Sequence, residues 1–274
     1  MFSVKGRRYY QEDRGVVDDA TGFYAVFDGH GGDKASRFCA KHMAEYVGAE
    51  MARVGGAAAA SDEAAAGAFA AAFVALDRKF QDKMVDDGST ACVALVVRTG
   101  AGRRLHVANA GDSRCVVVCA DGSALAMSVD QKPDDPVERA RIEAANHDVE
   151  VIDELVDGKR IHLSRVDGIL AVARAIGDHS LKDYGMPPEK TAVTCVPVVQ
   201  HLALDPAVHR YAVLASDGVW DVFSNNDAAQ LVHSVLAASS APTAAELEQA
   251  AQTLVQGALD RNSADNCTAV VVAL

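Results

Sequence analysis

The chain has 274 residues, with 26 Lys and Arg against 38 Asp and Glu, and its net charge of −12 excludes a basic nucleic-acid or anionic-membrane surface as the main contact. A hydrophobic share of 50% and a charged share of 23% exclude a disordered chain, and the length suffices for a sizeable core. No apolar run reaches the roughly 18 residues of a membrane span and Met1–Arg8 carries no signal region, so an intracellular, cytoplasmic protein is expected, with the nucleus left open and no membrane or nucleic-acid partner.

In chain order, Phe23-Tyr24-Ala25-Val26 reads as a buried strand leading into Phe27-Asp28-Gly29-His30-Gly31-Gly32. From Lys34 to Arg53, Ala35, Phe38, Cys39, His42, Met43, Tyr46 and Val47 recur at three and four residues, the spacing of a helix with one apolar stripe. Gly55-Gly56 breaks it, Ser61-Asp62-Glu63 offers an N-cap, and Phe69, Phe73, Leu76, Phe80 and Met84 form the stripe of a second helix. The texture then turns to short β-branched runs at Ala91–Val97, Leu105–Ala108, Arg114–Cys119 and Ala124–Ser128, separated by Gly100–Gly102, Gly111-Asp112 and Asp121-Gly122, which predicts an antiparallel meander.

A helix with Pro in its first turn is expected over Pro136–Ala145, then short strands at Ile161–Leu163, Ile169–Val172 and Tyr211–Leu214. Further helices follow at Asn226–Ala237 and Thr243–Arg261, and a last strand at Thr268–Ala273. Helices grouped in pairs around antiparallel strands read as α+β. Without a linker or composition break, one domain over 1–274 is expected, with a flap-like segment around 178–195 containing Tyr184-Gly185-Met186-Pro187-Pro188. The six cysteines show no CxxC pair and mostly sit in apolar segments, so they read as reduced and structural.

Two short acidic turns far apart in the chain carry the chemistry: Asp28-Gly29-His30 and Ser216-Asp217-Gly218-Val219-Trp220-Asp221. Each follows an apolar strand, which fixes the carboxylate, and each has a glycine beside it, which lets backbone approach whatever the carboxylate holds. Asp265-Asn266 and Glu12-Asp13 add acid, and Asp130 completes the candidate set. For any one Asp in a turn, a helix cap or Asx-turn is the competing reading. Together, carboxylates without His or Cys ligands favour magnesium or manganese over zinc, and a bound cation removes the cost of crowding like charges. His30 reads either as a structural hydrogen bonder or, beside a metal, as an acid, and Arg8 either as a surface cation or as a planar fork for phosphate oxygens.

The ordered motifs Arg8-Tyr9-Tyr10-Gln11-Glu12-Asp13, Val26–Gly32, Gly88-Ser89-Thr90-Ala91, Asn109–Arg114, Asp130-Gln131-Lys132-Pro133, Leu170–Asp178, Ser216–Asp221 and Asp265-Asn266 add up to a family. Over roughly Val4 to Val272 the chain resembles the metal-dependent serine/threonine protein phosphatases, the type 2C or PPM group. The resemblance implies a four-layer αββα sandwich, two antiparallel sheets flanked by helix pairs, with two Mg²⁺ or Mn²⁺ ions at one end. It implies Asp28 as the bridging ligand, Asp217 and Asp265 on one metal, and the Gly29 carbonyl and Glu12, partly through water, on the other. Asp13 would hold metal-bound water, and Asp130 with Asp217 would match the pair that binds a weaker third metal in some members.

Arg8 would bind phosphate and His30 would be the general acid, in a direct attack of a metal-bridging hydroxide on phosphoserine or phosphothreonine of a protein substrate, by a monomeric enzyme. The alternatives are a catalytically inactive member acting as a phosphoprotein or kinase scaffold, though no metal aspartate is missing, and a metal hydrolase acting on diesters. By the residues alone, Asp112 reads as a turn former, Gly177-Asp178 and Asp221 as braces of the loops around the site, Asp221 also as a cap or positioner of the next segment, and Lys132 and Arg174 as supports. The chain departs from the family in the few residues before Gly6, so the first strand is expected to pair poorly, and in Gln11 and Val196-Pro197-Val198. With nothing after Leu274, regulation is expected from the flap, partners or metal supply.

Overall fold

The computed structural model describes residues 1–274 except 82, 84, 157, 158, 184 and 240, so Met84 of the second helical stripe and Tyr184 of the expected flap lie outside the described residues. The chain opens with strands β1 (Phe2–Val4), β2 (Arg14–Asp18), β3 (Phe23–Phe27) and β4 (Gly29–His30), then helices α1 (Lys34–Arg53) and α2 (Asp62–Gln81). Next come β5 (Gly88–Ser89), β6 (Ala91–Thr99), β7 (Gly102–Ala110), β8 (Arg114–Cys119) and β9 (Ala124–Ala126). Helix α3 (Pro136–Ala144) precedes the hairpin β10 (Val149–Val156) and β11 (Lys159–Val166), followed by β12 (Ile176–Gly177), β13 (Val198–Leu204) and β14 (His209–Ala215). A single helical turn α4 (Asp217–Trp220), helices α5 (Asn225–Leu236) and α6 (Ala244–Asp260), and β15 (Cys267–Ala273) complete the described elements.

Two five-stranded antiparallel sheets, β13-β7-β6-β3-β2 and β1-β15-β14-β8-β9, stack face to face, which is the expected α+β sandwich. Alternation decides the layers, because successive side chains point to opposite faces of a strand. Tyr24, Val26, Cys92, Leu105, Val107, Val117, Leu214 and Val270 fill the space between the sheets. On the other face of the first sheet Phe27, Val93 and Ala108 meet Met43 of α1 and Phe69, Phe73 and Leu76 of α2, so both predicted stripes are the buried ones. On the outer face of the second sheet Val116, Val213 and Val271 meet Val232 and Leu236 of α5 and Leu254 and Val255 of α6. Helix ends agree with their sequence: Asp135 accepts from Val137 and Glu138 N–H at α3, and Thr243 with Glu246 forms a capping box at α6.

Several expectations shift. The first strand pairs fully with β15, in the register Phe2↔Ala269, Ser3↔Thr268 and Val4↔Cys267, because its few residues need only the edge of an existing sheet. Residues 169–172 form no strand but a single bridge, Val166↔Leu170. Residues 178–195 hold two 3-10 turns, His179–Leu181 and Pro188–Lys190, with Leu181, Ala192 and Val193 packed against Ile142 of α3. Neither five-stranded sheet includes the two-stranded β10–β11 sheet, whose β11 contributes His162, Leu163 and Arg165 to the wall of the cleft described below. All six cysteines are free thiols and five are buried. No helix among the described residues is long and apolar enough to cross a membrane.

Candidate metal centre

Asp28 leaves the end of β3, a strand buried at every residue, so its backbone is held by the sheet. Its N–H donates to Thr90 Oγ1 at 3.1 Å and its carbonyl accepts from Thr90 N–H at 2.9 Å, which explains the Gly88-Ser89-Thr90-Ala91 motif as a brace for this aspartate. Gly29 follows in a crowded position: a Cβ there would stand 2.6 Å from the Glu12 carbonyl oxygen and 2.8 Å from Ser36 Oγ. The missing side chain lets the Glu12 segment, β4 and the start of α1 close on one another.

From the other sheet, β14 delivers Ser216 and Asp217. Ser216 Oγ donates to Asp13 Oδ2 at 2.8 Å, and Trp220 Nε1 donates to the Ala215 carbonyl at 2.9 Å, so the turn after the strand is fixed from both sides. A Cβ on Gly218 would stand 2.0 Å from the Asn266 carbonyl oxygen. Asn266 in turn ties down the N-terminal segment. Its Nδ2 donates to the Lys5 and Tyr10 carbonyls, each at 2.8 Å, and its Oδ1 accepts from Glu12 N–H at 2.8 Å. The Asp265-Asn266 pair thus places one carboxylate in the site and uses its neighbour to hold Arg8 and Glu12 over it.

The result is a cleft of about 490 Å³ at one end of the sandwich, lined by Arg8, Glu12, Asp28, Gly29, His30, Asp112, Lys132, Asp217, Asp221 and Asp265 among others. Carboxylate oxygens of Asp28, Asp112 and Asp217 lie within 4.8 Å of one another. Acids on the cleft wall outnumber Arg8, Lys132 and Arg165 two to one. Burial, then the charges of Asp13, Asp217 and Asp112, push the Asp28 carboxyl well above the usual carboxylate range. Burial, then Asp112 and Asp221, do the same to Asp217, with Lys132 opposing.

Asp13, only 1% exposed, sits behind the cleft; burial raises it to about 6 against the hydrogen bond from Ser216. Its Oδ1 is buried without a hydrogen-bond partner among the described residues. Such a cluster either takes up protons or takes up cations. An all-oxygen donor set of this kind fits magnesium or manganese.

His30 is placed by a second device. In the small sheet β12-β5-β4, His30 and Gly177 pair with Gly88 from opposite sides, which brings Asp178 against the imidazole. His30 Nε2 lies 2.9 Å from Asp178 Oδ1 and 2.8 Å from Oδ2. A Cβ on Gly88 would stand 2.1 Å from both His30 Nε2 and Asp178 Oδ2, so only glycine leaves room for this contact. Burial works against protonation of His30, but Asp178, with Asp112 and Glu12 behind it, outweighs burial and raises the imidazole above its ordinary range. Arg8 stands at the rim, its Nη2 2.5 Å from Asp265 Oδ2 and its side chain 57% exposed.

Of the residues singled out in the sequence, Arg8, Glu12, Asp28, Gly29, His30, Asp217 and Asp265 line this cleft, with Asp13 directly behind. Asp130 does not join them: Arg114 takes both its oxygens, Nε at 2.8 Å and Nη2 at 2.6 Å, so the expected pairing of Asp130 with Asp217 gives way to an Arg–Asp fork. Asp112, read above as a turn former, stands in the cleft, where Lys132 reaches its Oδ2, and Asp221 lines the cleft while also capping the single turn α4. The signal for Asp112 was present. It leaves the end of β7 beside Gly111, the same strand-end and glycine arrangement that marked Asp28. Arg174 supports α3 through a fork onto Glu138 rather than the cleft. The wall facing the acids comes from His162, Leu163 and Arg165 of β11.

Comparison with known proteins gives one answer. The family model described as "Protein phosphatase 2C" matches residues 8–267. "Probable protein phosphatase 2C 71" of Arabidopsis thaliana is 36% identical over 98% of this chain, and the chain spans only 54% of that protein. "Protein phosphatase 2C homolog 2" of Schizosaccharomyces pombe is 35% identical over 95% of this chain and 66% of its own length. Among solved structures, "Crystal structure of a phosphatase from a pathogenic strain Toxoplasma gondii" superposes with a TM-score of 0.83 at 26% identity, covering 100% of this chain and 91% of that one.

Proposed function

This chain belongs to the protein phosphatase 2C family, and from that premise we propose that it hydrolyses phosphoserine and phosphothreonine monoesters in protein substrates with the help of magnesium or manganese. The observation that carries this reading is the triangle of Asp28, Asp112 and Asp217, whose carboxylate oxygens lie within 4.8 Å of one another, with Asp28 and Asp217 pushed well above the usual carboxylate range. Asp28, Asp112, Asp217, Asp265, Glu12 and the Gly29 carbonyl would hold two ions, with Asp13 orienting the groups behind them. Bound there, divalent ions neutralise phosphoryl charge and acidify the attacking water.

The chain's own groups supply the rest. Arg8, fixed at the rim through Asp265, offers its remaining guanidinium N–H groups to phosphoryl oxygens, where a planar fork matches the geometry. His30, held through Nε2 by Asp178 and kept protonated by it, has its other nitrogen to give a proton to the departing serine or threonine oxygen. The hairpin β10–β11, carrying His162 and Arg165, lies where the residues flanking the phosphate would pass.

The test compares phosphate release from a phosphoserine peptide, a phosphotyrosine peptide and a phosphodiester in millimolar manganese. Preference for the phosphoserine monoester is expected. Faster diester cleavage would refute the assignment, and a folded protein inert toward all three would support the scaffold alternative.

A further inference from the structure

His106 and His201 play no part in the acidic cleft. They stand directly opposite each other on β7 and β13. Their neighbours Leu105, Val107 and Leu202 turn into the space between the sheets, so the two imidazoles face the helix side. His106 is fully buried, and β13 is the outer strand of its sheet. The first residue of α2, Asp62, reaches the same point from a different part of the chain.

The two Nδ1 atoms face each other at 2.6 Å, and Asp62 Oδ1 lies 3.8 Å from His201 Nδ1. One ligand atom from each of the three side chains falls within 4.8 Å of the others. Hydrogen bonding within the chain leaves this group short of partners. Two facing Nδ1 atoms are satisfied by a single proton between them. Asp62 Oδ1 is buried without a hydrogen-bond partner among the described residues, while Oδ2 accepts from Arg104 Nη2 at 2.5 Å. His106 Nε2 also finds no partner among the described residues, where the ring's hydrogen bonding is confined to Nδ1. Three donors from α2, β7 and β13 therefore converge on one point.

We propose that Asp62, His106 and His201 bind one divalent transition metal of the zinc type, at a site separate from the acidic cleft. Two imidazoles with one carboxylate suit zinc, copper or nickel, whereas magnesium and manganese prefer all-oxygen sets. Zn–N bonds of about 2.0–2.1 Å at tetrahedral angles place two nitrogens about 3.3 Å apart, so the rings need to part by less than an ångström. Arg104 would orient the carboxylate through Oδ2 and, as a cation, hold the affinity below that of a thiolate site. The ion would pin the start of α2 to the outer strand of the sheet.

The test titrates metal-stripped protein with Co²⁺ in saturating Mg²⁺, which occupies the oxygen-rich cleft, and reads visible absorption together with thermal unfolding. One equivalent of Co²⁺ with the intense bands of a tetrahedral nitrogen-ligated ion is expected, displaced by Zn²⁺ and accompanied by a higher Tm. His201→Gln and Asp62→Asn should each weaken binding at least about tenfold, while Mg²⁺-supported phosphate release and the cobalt-free Tm stay near wild type. His201 lies on the outer strand of the sheet and Asp62 at the start of α2, both only partly buried, and the cobalt-free Tm reports folding independently of activity. Unchanged cobalt binding in both folded variants, or no cobalt bound by the wild type at about 1 mM, a concentration far above that needed by a built zinc site, would overturn the proposal.

Discussion

Asp13→Asn should stabilise the metal-free protein at neutral pH. The Asp13 carboxyl titrates at about 6 in the fold against an ordinary 3.8, a rise of about two units, and each unit corresponds to about 1.4 kcal/mol. A raised carboxyl binds its proton more tightly in the folded state, so its contribution is full below pH 4 and is lost as pH rises through 6. Asparagine keeps the shape, accepts from Ser216 Oγ as the acid does, and has no charge to lose. The variant should therefore gain about 3 kcal/mol relative to wild type between pH 4 and pH 7.

The difference between the two proteins is the quantity to read, because His106, lowered to about 4, gives an opposite slope over the same window in both. Urea denaturation of metal-free protein at half-unit pH steps measures it, and saturating Mg²⁺ should shrink the advantage. A wild-type minus variant difference that stays flat from pH 4 to 7 would refute the claim that the cluster is strained without cations.

Gly29→Ala places a Cβ 2.6 Å from the Glu12 carbonyl, where ordinary contact begins at 3.4 Å. A displacement approaching 1 Å should lower kcat/KM about 100-fold, whereas Gly48→Ala in α1, with nothing within 4 Å, should leave it unchanged. Asp112→Asn should raise the Mn²⁺ concentration for half-maximal activity about 10- to 100-fold, a result that a mere turn former would not give. Asp178→Asn removes the charge that raises His30, so the alkaline limb of the kcat profile should move to lower pH, and His30→Gln should abolish that limb.

Strongly periodic elements were legible in the sequence. The Lys34–Arg53 helix forms over the predicted residues, and the stripe through Phe69, Phe73 and Leu76 is fully buried, because an apolar face at helical spacing has only one way to be covered. Arg114–Cys119 likewise forms as a strand over the expected residues. The strand Val198–Leu204 was not anticipated: as an outer strand it is partly exposed on both faces, and His201 and Gln200 blur its alternation. Of the hairpin β10–β11, the expected strand Ile161–Leu163 falls within β11, while β10 escaped, since the hairpin joins neither five-stranded sheet and Glu150, Asp153 and Glu154 interrupt its apolar pattern.

In the site, strand-end aspartates with glycine neighbours identified Asp28 and Asp217. The partners that set their environment are contributed by folding. Asp178 reaches His30 across 148 residues only because Gly88 lies between them. Asp130 is held in a fork by Arg114, a pairing that spacing along the chain does not reveal.

The central claim is that the acidic cleft must hold divalent cations to cleave a phosphate monoester. It is tested most directly by titrating Mn²⁺ into metal-stripped wild type and Asp28→Asn while following phosphate release from a phosphoserine peptide. The account predicts no release without metal, saturable activation of the wild type, and a rate for Asp28→Asn lower by at least about 100-fold at saturating Mn²⁺, since a carboxylate proposed to hold the cations is lost. Release by the stripped wild type, or full activation of folded Asp28→Asn, would contradict it.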